Sequence, residues 1–317
     1  MYSPAYKDEM ELFPPAATAK AFAPGHVTGL FVPVTAPADP LSRGSLGAGL
    51  VLEVGATAKV TATPAPHPSL SLWQGDRPAD LPVTRAAVEK LLAQAPKGWE
   101  LRVELAHALP ISSGMGMSAA GTLAASLATT RLLGLDARKA VEAAHRAELE
   151  AHTGLGGVAA ILGGGLEVRR RAGLEPWGLV ERTPVEAMVL LAFRPDPMPS
   201  PPLLSDPHFL DRVREAGEGL LSRLPPPPLS VETFQDSSNR FTESLGLASG
   251  PVLEALQEGR REGLPLAQAM LGQALFLAVP AGNSEGRTRL ERAEKLLQDR
   301  GFGVQRVRVG STGAHLQ

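Results

Sequence analysis

The sequence predicts a globular protein of mixed strands and helices in two domains. Three observations carry that expectation. At 317 residues the chain is long enough for two cores of ordinary size. Strand-like and helix-like segments alternate along its whole length. A shift in composition near 180–200, where prolines gather, gives the best boundary and divides the chain into 1–182 and 183–317.

The elements follow in order. Residues 1–18 hold no recognisable element and read as a leader of uncertain order. "AKAFAPGHVTGLFVPV" (19–34) reads as two strands separated by a break at Pro24-Gly25, and "DPLSRGSLGAG" (39–49) as a glycine-rich loop. "LVLEVGATAKVTAT" (50–63) has the valines and threonines of a strand, and the proline-rich stretch 64–83 reads as a loop. Thr84 is placed to cap a helix in which Val88, Leu91 and Leu92 share a face. In "LRVELAH" (101–107), Leu101, Val103 and Leu105 alternate with charged residues, the pattern of a half-buried strand.

A small-residue helix is expected to run to about Leu133. A second is expected from Asp136 through His152, ended by "GLGGVAAILGGG" (154–165). Strands are expected near 166–170 and 187–193, helices at about 206–222, 231–246 and 250–262, then strand 274–279, helix 285–299 and strand 303–309. "RPDPMPSPP" (194–202) and "PPPP" (225–228) read as stiff connections, because proline suits neither a helix interior nor a central strand.

Composition excludes several function classes. Hydrophobic residues make up 44% and charged residues 20%, which suits a folded chain. A net charge of −2 supplies no general attraction to nucleic acid or to an anionic membrane. With no cysteine there is neither a disulfide nor a thiolate metal site, and a cytoplasmic setting is expected. No apolar run is long enough to span a bilayer, and the first residues lack the apolar segment of a secretory signal. Asn239 and Asn283 are the only asparagines, as in a thermophile or a product of a GC-rich genome.

The stretch with most chemistry is "HALPISSGMGMSAAG" (107–121). Gly114 and Gly116 would let backbone approach a ligand closely, and the start of the following helix offers unpaired N–H groups and partial positive charge. Ser112, Ser113 and Ser118 add hydroxyls, while Ala119, Ala120 and Gly121 permit close packing behind the loop. A phosphate site and a tight structural turn both fit these residues. No Gly-Lys-Ser/Thr follows, so this is not a P-loop.

The surrounding residues resemble a family. "PISSGMGMSAA" (110–120) is similar to the ATP loop of the GHMP small-molecule kinases: Pro110, Gly114, Gly116, Ser118, Ala119 and Ala120 match, and Met115 and Met117 stand in place of the usual Leu and Ser. "APGHVTGLFVP" (23–33) resembles the family's first motif. "GSLGAG" (44–49) and "AMLGQALFLAV" (269–279) are most similar to its archaeal-type pantoate kinase branch.

The resemblance implies a two-domain α+β fold, with a ribosomal protein S5 domain 2-like N-terminal domain and a ferredoxin-like C-terminal one. It implies ATP and Mg²⁺ as cofactors, with nucleotide on Pro110, Ser112–Ala119 and metal on Ser118 and Glu148. In this family a catalytic Asp is expected where "GLGGV" here places Gly157, and glycine accepts no proton. For the acceptor, Arg43, Ser45 and the backbone at Gly47 suit a small carboxylate, and His26 and Thr28 suit its hydroxyl. A solvent-facing Arg43 and a turn-capping His26 are the plainer readings of those two.

The expected activity is phosphorylation of a small hydroxy acid, foremost pantoate, in coenzyme A biosynthesis. A GHMP-fold binding protein without turnover, or a kinase for another small alcohol such as a homoserine-like metabolite, are the rivals. The expected partner is a small-molecule substrate, with neither nucleic acid nor membrane, and the sequence leaves room for a homodimer.

Overall fold

The computed structural model describes residues 16–95, 98–194 and 205–317, and it is built on two antiparallel-rich sheets. Two long strands dominate the first: β1 (Ala17–Val34) and β2 (Gly44–Pro64) pair antiparallel almost end to end. The other edge of β2 is shared. Its second half (Ala56–Pro64) pairs with β5 (Trp99–His107), and Gly47–Leu50 pairs with β6 (Leu166–Arg171), which carries β7 (Leu179–Thr183). Next to β5 lie β3 (Ser69–Gln74) and β4 (Arg77–Pro78), and the short β12 (His315–Leu316) returns to β1. β3 runs parallel to β5 across helix α1 (Pro82–Leu92).

Against this sheet pack α1, α2 (Met117–Leu133) and α3 (Ala137–Glu150), followed by the single turn α4 (Gly157–Ala160). α2 is lined with alanine and small residues buried on nearly every side, so it lies closely against β1, β2, α1 and α3.

The second sheet has the order β11 (Gly303–Arg308), β8 (Ala187–Phe193), β10 (Ala274–Pro280), β9 (Ala267–Ala269). It is buried on both faces, which explains the unbroken apolar runs of β8 and β10. Val189 and Leu191 join the main core with Phe234 and Phe241 of α6 (Val231–Leu245) and Phe209 of α5 (Pro207–Leu221). Leu190 and Ala192 face a second core with α7 (Gly250–Arg261) and α8 (Ser284–Asp299). The expected division at 182/183 falls inside β7, before its last residue Thr183, and β12 beyond it returns to the first sheet.

Several expectations are corrected. Pro24-Gly25 does not end a strand: β1 absorbs it as a shift in register between Pro24 and His26. Residues 44–49 are the start of β2 rather than loop; Asp39–Arg43 alone form a turn, in which the Asp39 carboxylate accepts from the Leu41 N–H. The proline-rich 64–83 contains β3 and β4, because its prolines fall outside the paired residues of β3. α1 starts on Pro82 without a side-chain cap, and the Thr84 hydroxyl is instead 3.0 Å from that of Thr122. α4 lies inside the expected break at 154–165, and β7, β9 and β12 are additional. β1 begins within the expected leader, whose first 15 residues lie outside the described ones, as does most of 194–202. Pro225–Pro228 is neither helix nor strand, and the Leu224 and Pro225 carbonyls accept from Arg170.

Gly29 of β1 is where α6 meets the first sheet. A Cβ there would lie 2.0 Å from Ser238 Oγ and 2.7 Å from the Phe234 ring. Gly29→Ala is expected to cost about 1–3 kcal/mol, the range for overpacking a tight core, and thermal denaturation by circular dichroism checks it.

Candidate active site

A cleft of about 480 Å³ is lined by β1, β2, the 110–116 loop, the starts of α2 and α4, and the segment around Met270. Of the residues singled out from sequence, the structure brings twelve together here: His26, Thr28, Ser45, Ser112, Gly114, Met115, Gly116, Met117, Ser118, Ala119, Glu148 and Gly157.

The glycine loop closes on itself and on β1. The Ser113 hydroxyl, buried, donates to the Pro110 carbonyl at 2.6 Å, and the His26 N–H donates to the Met115 carbonyl at 3.1 Å. Ser113 and Pro110 therefore shape the loop without lining the cleft. Gly116 has φ 68° and immediately precedes α2, with no side chain capping that helix. The first N–H groups of α2 are thus left for a ligand, the arrangement that attracts anions. A Cβ at Gly116 would come within 3.2 Å of His26.

Ser118 stands in the first turn of α2 and Glu148 in the last turn of α3, and the packing of the two helices joins them. The Ser118 hydroxyl donates to Glu148 Oε1 at 2.5 Å. Glu148 is 4% exposed, and burial raises its pKa, with hydrogen bonds from Ser118 and Thr153 pulling the other way. No lysine or arginine among the described residues shifts it. A buried carboxylate with no positive partner is costly. A hydroxyl and a carboxylate are the hard oxygens that a divalent cation such as Mg²⁺ takes, so the pair fits one. Among the described residues no three metal-ligating side chains cluster.

The cleft also meets a buried ionic group, two members of which, Glu167 and Arg169, sequence reasoning missed. Glu167 and Arg169 project from the same face of β6, 0% and 2% exposed, and Arg169 Nη1 donates to Glu167 Oε1. The same oxygen is 3.0 Å from His26 Nε2, and His26 Nδ1 is 3.1 Å from the Thr28 hydroxyl. Burial alone would push Glu167 up, but Arg169, His26 and Arg182 outweigh it and hold its carboxyl below the usual range. Burial lowers His26. Arg169 lines the cleft and its Nε has no partner among the described residues. The one signal for this group was the Glu-x-Arg spacing in "LEVRRR", which sets both charges on one face of a strand.

Arg43 does not line the cleft. Its guanidinium donates to the carbonyls of Pro37 and Ala38, and its own carbonyl is 3.1 Å from His145 Nε2. It closes the turn before β2. Gly47 lies beneath Arg169, where a Cβ would be 2.6 Å from Nη2. Neither Glu150, exposed and paired with Lys90, nor His152 lines the cleft. Gly157 does, as the first residue of α4, and a Cβ there would meet only Ala119 Cβ, at 3.1 Å.

Comparison with known proteins bears on this geometry. Residues 82–165 match the GHMP kinases N terminal domain. The chain is 31% identical to a pantoate kinase of Methanospirillum hungatei JF-1, over 81% of this chain and 86% of that protein. It belongs to the pantoate kinase family of GHMP kinases. A pantoate kinase of Thermococcus kodakarensis is 30% identical over 88% of this chain and 92% of its own. A solved phosphotransferase related to the CoA biosynthesis pathway superposes with TM-score 0.82 at 27% identity, covering 95% of this chain and 99% of the other. Mevalonate-3-kinase of Thermoplasma acidophilum shares the fold, with TM-score 0.62 at 14% identity, covering 96% and 98%. The α+β GHMP fold and a small-molecule kinase follow. No helix among the described residues is long and apolar enough to cross a membrane.

GHMP kinases use ATP, and the loop geometry makes a specific demand. Gly116→Val forces a β-branched residue to φ 68° against His26. It is expected to weaken nucleotide binding by at least about tenfold, the loss of one charge-assisted hydrogen bond, as measured by isothermal titration.

Proposed function

We propose that this protein transfers the γ-phosphoryl group of ATP, with Mg²⁺, to the primary hydroxyl of pantoate, giving 4-phosphopantoate. The observation that carries this reading is a cleft with two charge centres. One is the Ser118–Glu148 pair beside the loop; the other is Arg169, whose buried Nε has no partner among the described residues. The first suits a metal-bound triphosphate and the second a small carboxylate.

When bound, MgATP supplies the phosphoryl group and the cation that offsets its charge. Gly114 and Gly116 keep the loop open to phosphate, and the α2 N-terminus faces it with unpaired N–H groups. Ser118 and Glu148 hold the metal. Arg169 spends Nη1 on Glu167 and keeps its Nε–Nη2 edge, the edge that grips a carboxylate with two parallel bonds. That edge faces Gly47 and Gly156, where a Cβ would lie 2.6 Å from Nη2 and 2.8 Å from Nε. Ser45 adds a hydroxyl on the same side, 3% exposed. Thr28, on β1 and lining the same cleft, is placed for the acceptor hydroxyl.

ADP release measured against pantoate, homoserine, mevalonate and glycerol tests the reading, which expects turnover with pantoate above the others. Arg169→Lys keeps the charge beside Glu167 and loses the two-pronged edge. It is expected to raise KM for pantoate by about tenfold or more, the value of a charge-assisted hydrogen bond, with KM for ATP little changed. Equal effects on both would remove Arg169 from the acceptor site.

A further inference from the structure

Position 157 carries no side chain, so the acceptor's proton needs another destination. We propose that Thr28, His26 and Glu167 form a relay that receives it. The proposal rests on the kinase reading above.

The hydrogen bonds fix the direction of the relay. Glu167, held ionised by Arg169, His26 and Arg182, can only accept. His26 therefore carries its hydrogen on Nε2, donated to Glu167 Oε1 at 3.0 Å, and its Nδ1 lone pair accepts from the Thr28 hydroxyl at 3.1 Å. Thr28 Oγ1 then has lone pairs left to accept from a hydroxyl in the cleft. As the acceptor oxygen bonds to the γ-phosphorus, the bridging O–P bond breaks and its electron pair leaves with ADP. The hydroxyl proton passes to Thr28 Oγ1, and the threonine's own proton passes to His26 Nδ1. The resulting imidazolium stays paired with Glu167 until it loses the proton to solvent or product.

Anchoring and charge both favour this path. The Thr28 carbonyl accepts from the Met270 N–H at 3.1 Å and the His26 N–H donates to the Met115 carbonyl at 3.1 Å, so the relay and the phosphate loop are one block. The charged groups facing His26 are Glu167 and Arg169 on β6 and Arg182 on β7; β2 presents Gly49, and α2 presents its N-terminus. Burial dominates and Glu167 opposes it, leaving His26 below its ordinary value of 6.5 and neutral at neutral pH, as a proton acceptor must be. The other titratable groups lining the cleft, among the described residues, are Asp80, His107, Glu148 and Arg169. Glu148 is taken by Ser118, Arg169 as a guanidinium is already protonated and can accept nothing, and Asp80 and His107 stand before α1 and at the end of β5.

The test is the pH profile of kcat with saturating MgATP and pantoate. The wild type is expected to lose kcat on acidification through one group titrating below pH 6.5, as His26 becomes protonated. Thr28→Val is expected to lower kcat on the order of 10²-fold, the low end for a positioned base, to leave both KM values nearly unchanged and to abolish that acid limb. Thr28→Ser restores hydroxyl, rate and limb. His26→Gln, which keeps hydrogen-bonding groups but accepts no proton, is expected to match Thr28→Val and decides the matter should the valine variant fail to fold. A folded Thr28→Val or His26→Gln with wild-type kcat and limb overturns the relay while leaving the kinase standing. A wild type that phosphorylates no acid of the panel overturns both.

Discussion

The absence of side chains at three glycines is the constraint on which the site depends. A Cβ at Gly49 would stand 2.2 Å from His26 Nε2, one at Gly47 2.6 Å from Arg169 Nη2, and one at Gly156 2.4 Å from Ser45 Oγ and 2.8 Å from Arg169 Nε. With hydrogens at Gly47 and Gly49, β2 forms a flat floor on which side chains from β1 and β6 meet, and Gly156, just before α4, leaves room beside Ser45 and Arg169. The pairing of β2 with both strands sets the register: His26 is opposite Val51, and Gly47 is opposite Arg169. The "GSLGAG" stretch is thus a strand stripped of bulk so that an ionic group can be buried on it.

Burial of charge is handled differently at the two centres. On the β6 side one carboxylate lies among two guanidiniums and a neutral imidazole, which leaves positive charge in excess. On the α2–α3 side Glu148 has only hydrogen bonds among the described residues, and burial raises its pKa. On the proposed reading Glu148 takes positive charge, the α2 N-terminus and Arg169 take negative charge, and a metal-bound triphosphate beside a small carboxylate would satisfy all three.

Sequence made part of this legible. The glycine loop and Ser118 were found because loop and helix-start patterns are local, and the resemblance alone supplied Glu148 and its pairing with Ser118. The main helices and long strands followed from periodicity. Arg169 and Glu167 were not found, since they meet His26 only through the β1–β2–β6 pairing, across more than a hundred residues of chain. Arg43 was chosen for being next to a glycine-rich stretch, but its carbonyl partners at Pro37 and Ala38 keep it outside. β3 was hidden because prolines bracket a strand whose own six residues contain none.

The central claim is that Glu148 is buried to meet a nucleotide-bound cation. Titration of ADP into the protein, with and without Mg²⁺, tests it most directly when repeated on Glu148→Gln, which keeps the hydrogen bond and removes the charge. The account predicts that Mg²⁺ tightens ADP binding to the wild type by about tenfold or more, the worth of one charge-assisted contact, and that the variant loses most of that gain. An identical response to Mg²⁺ in both proteins would contradict it.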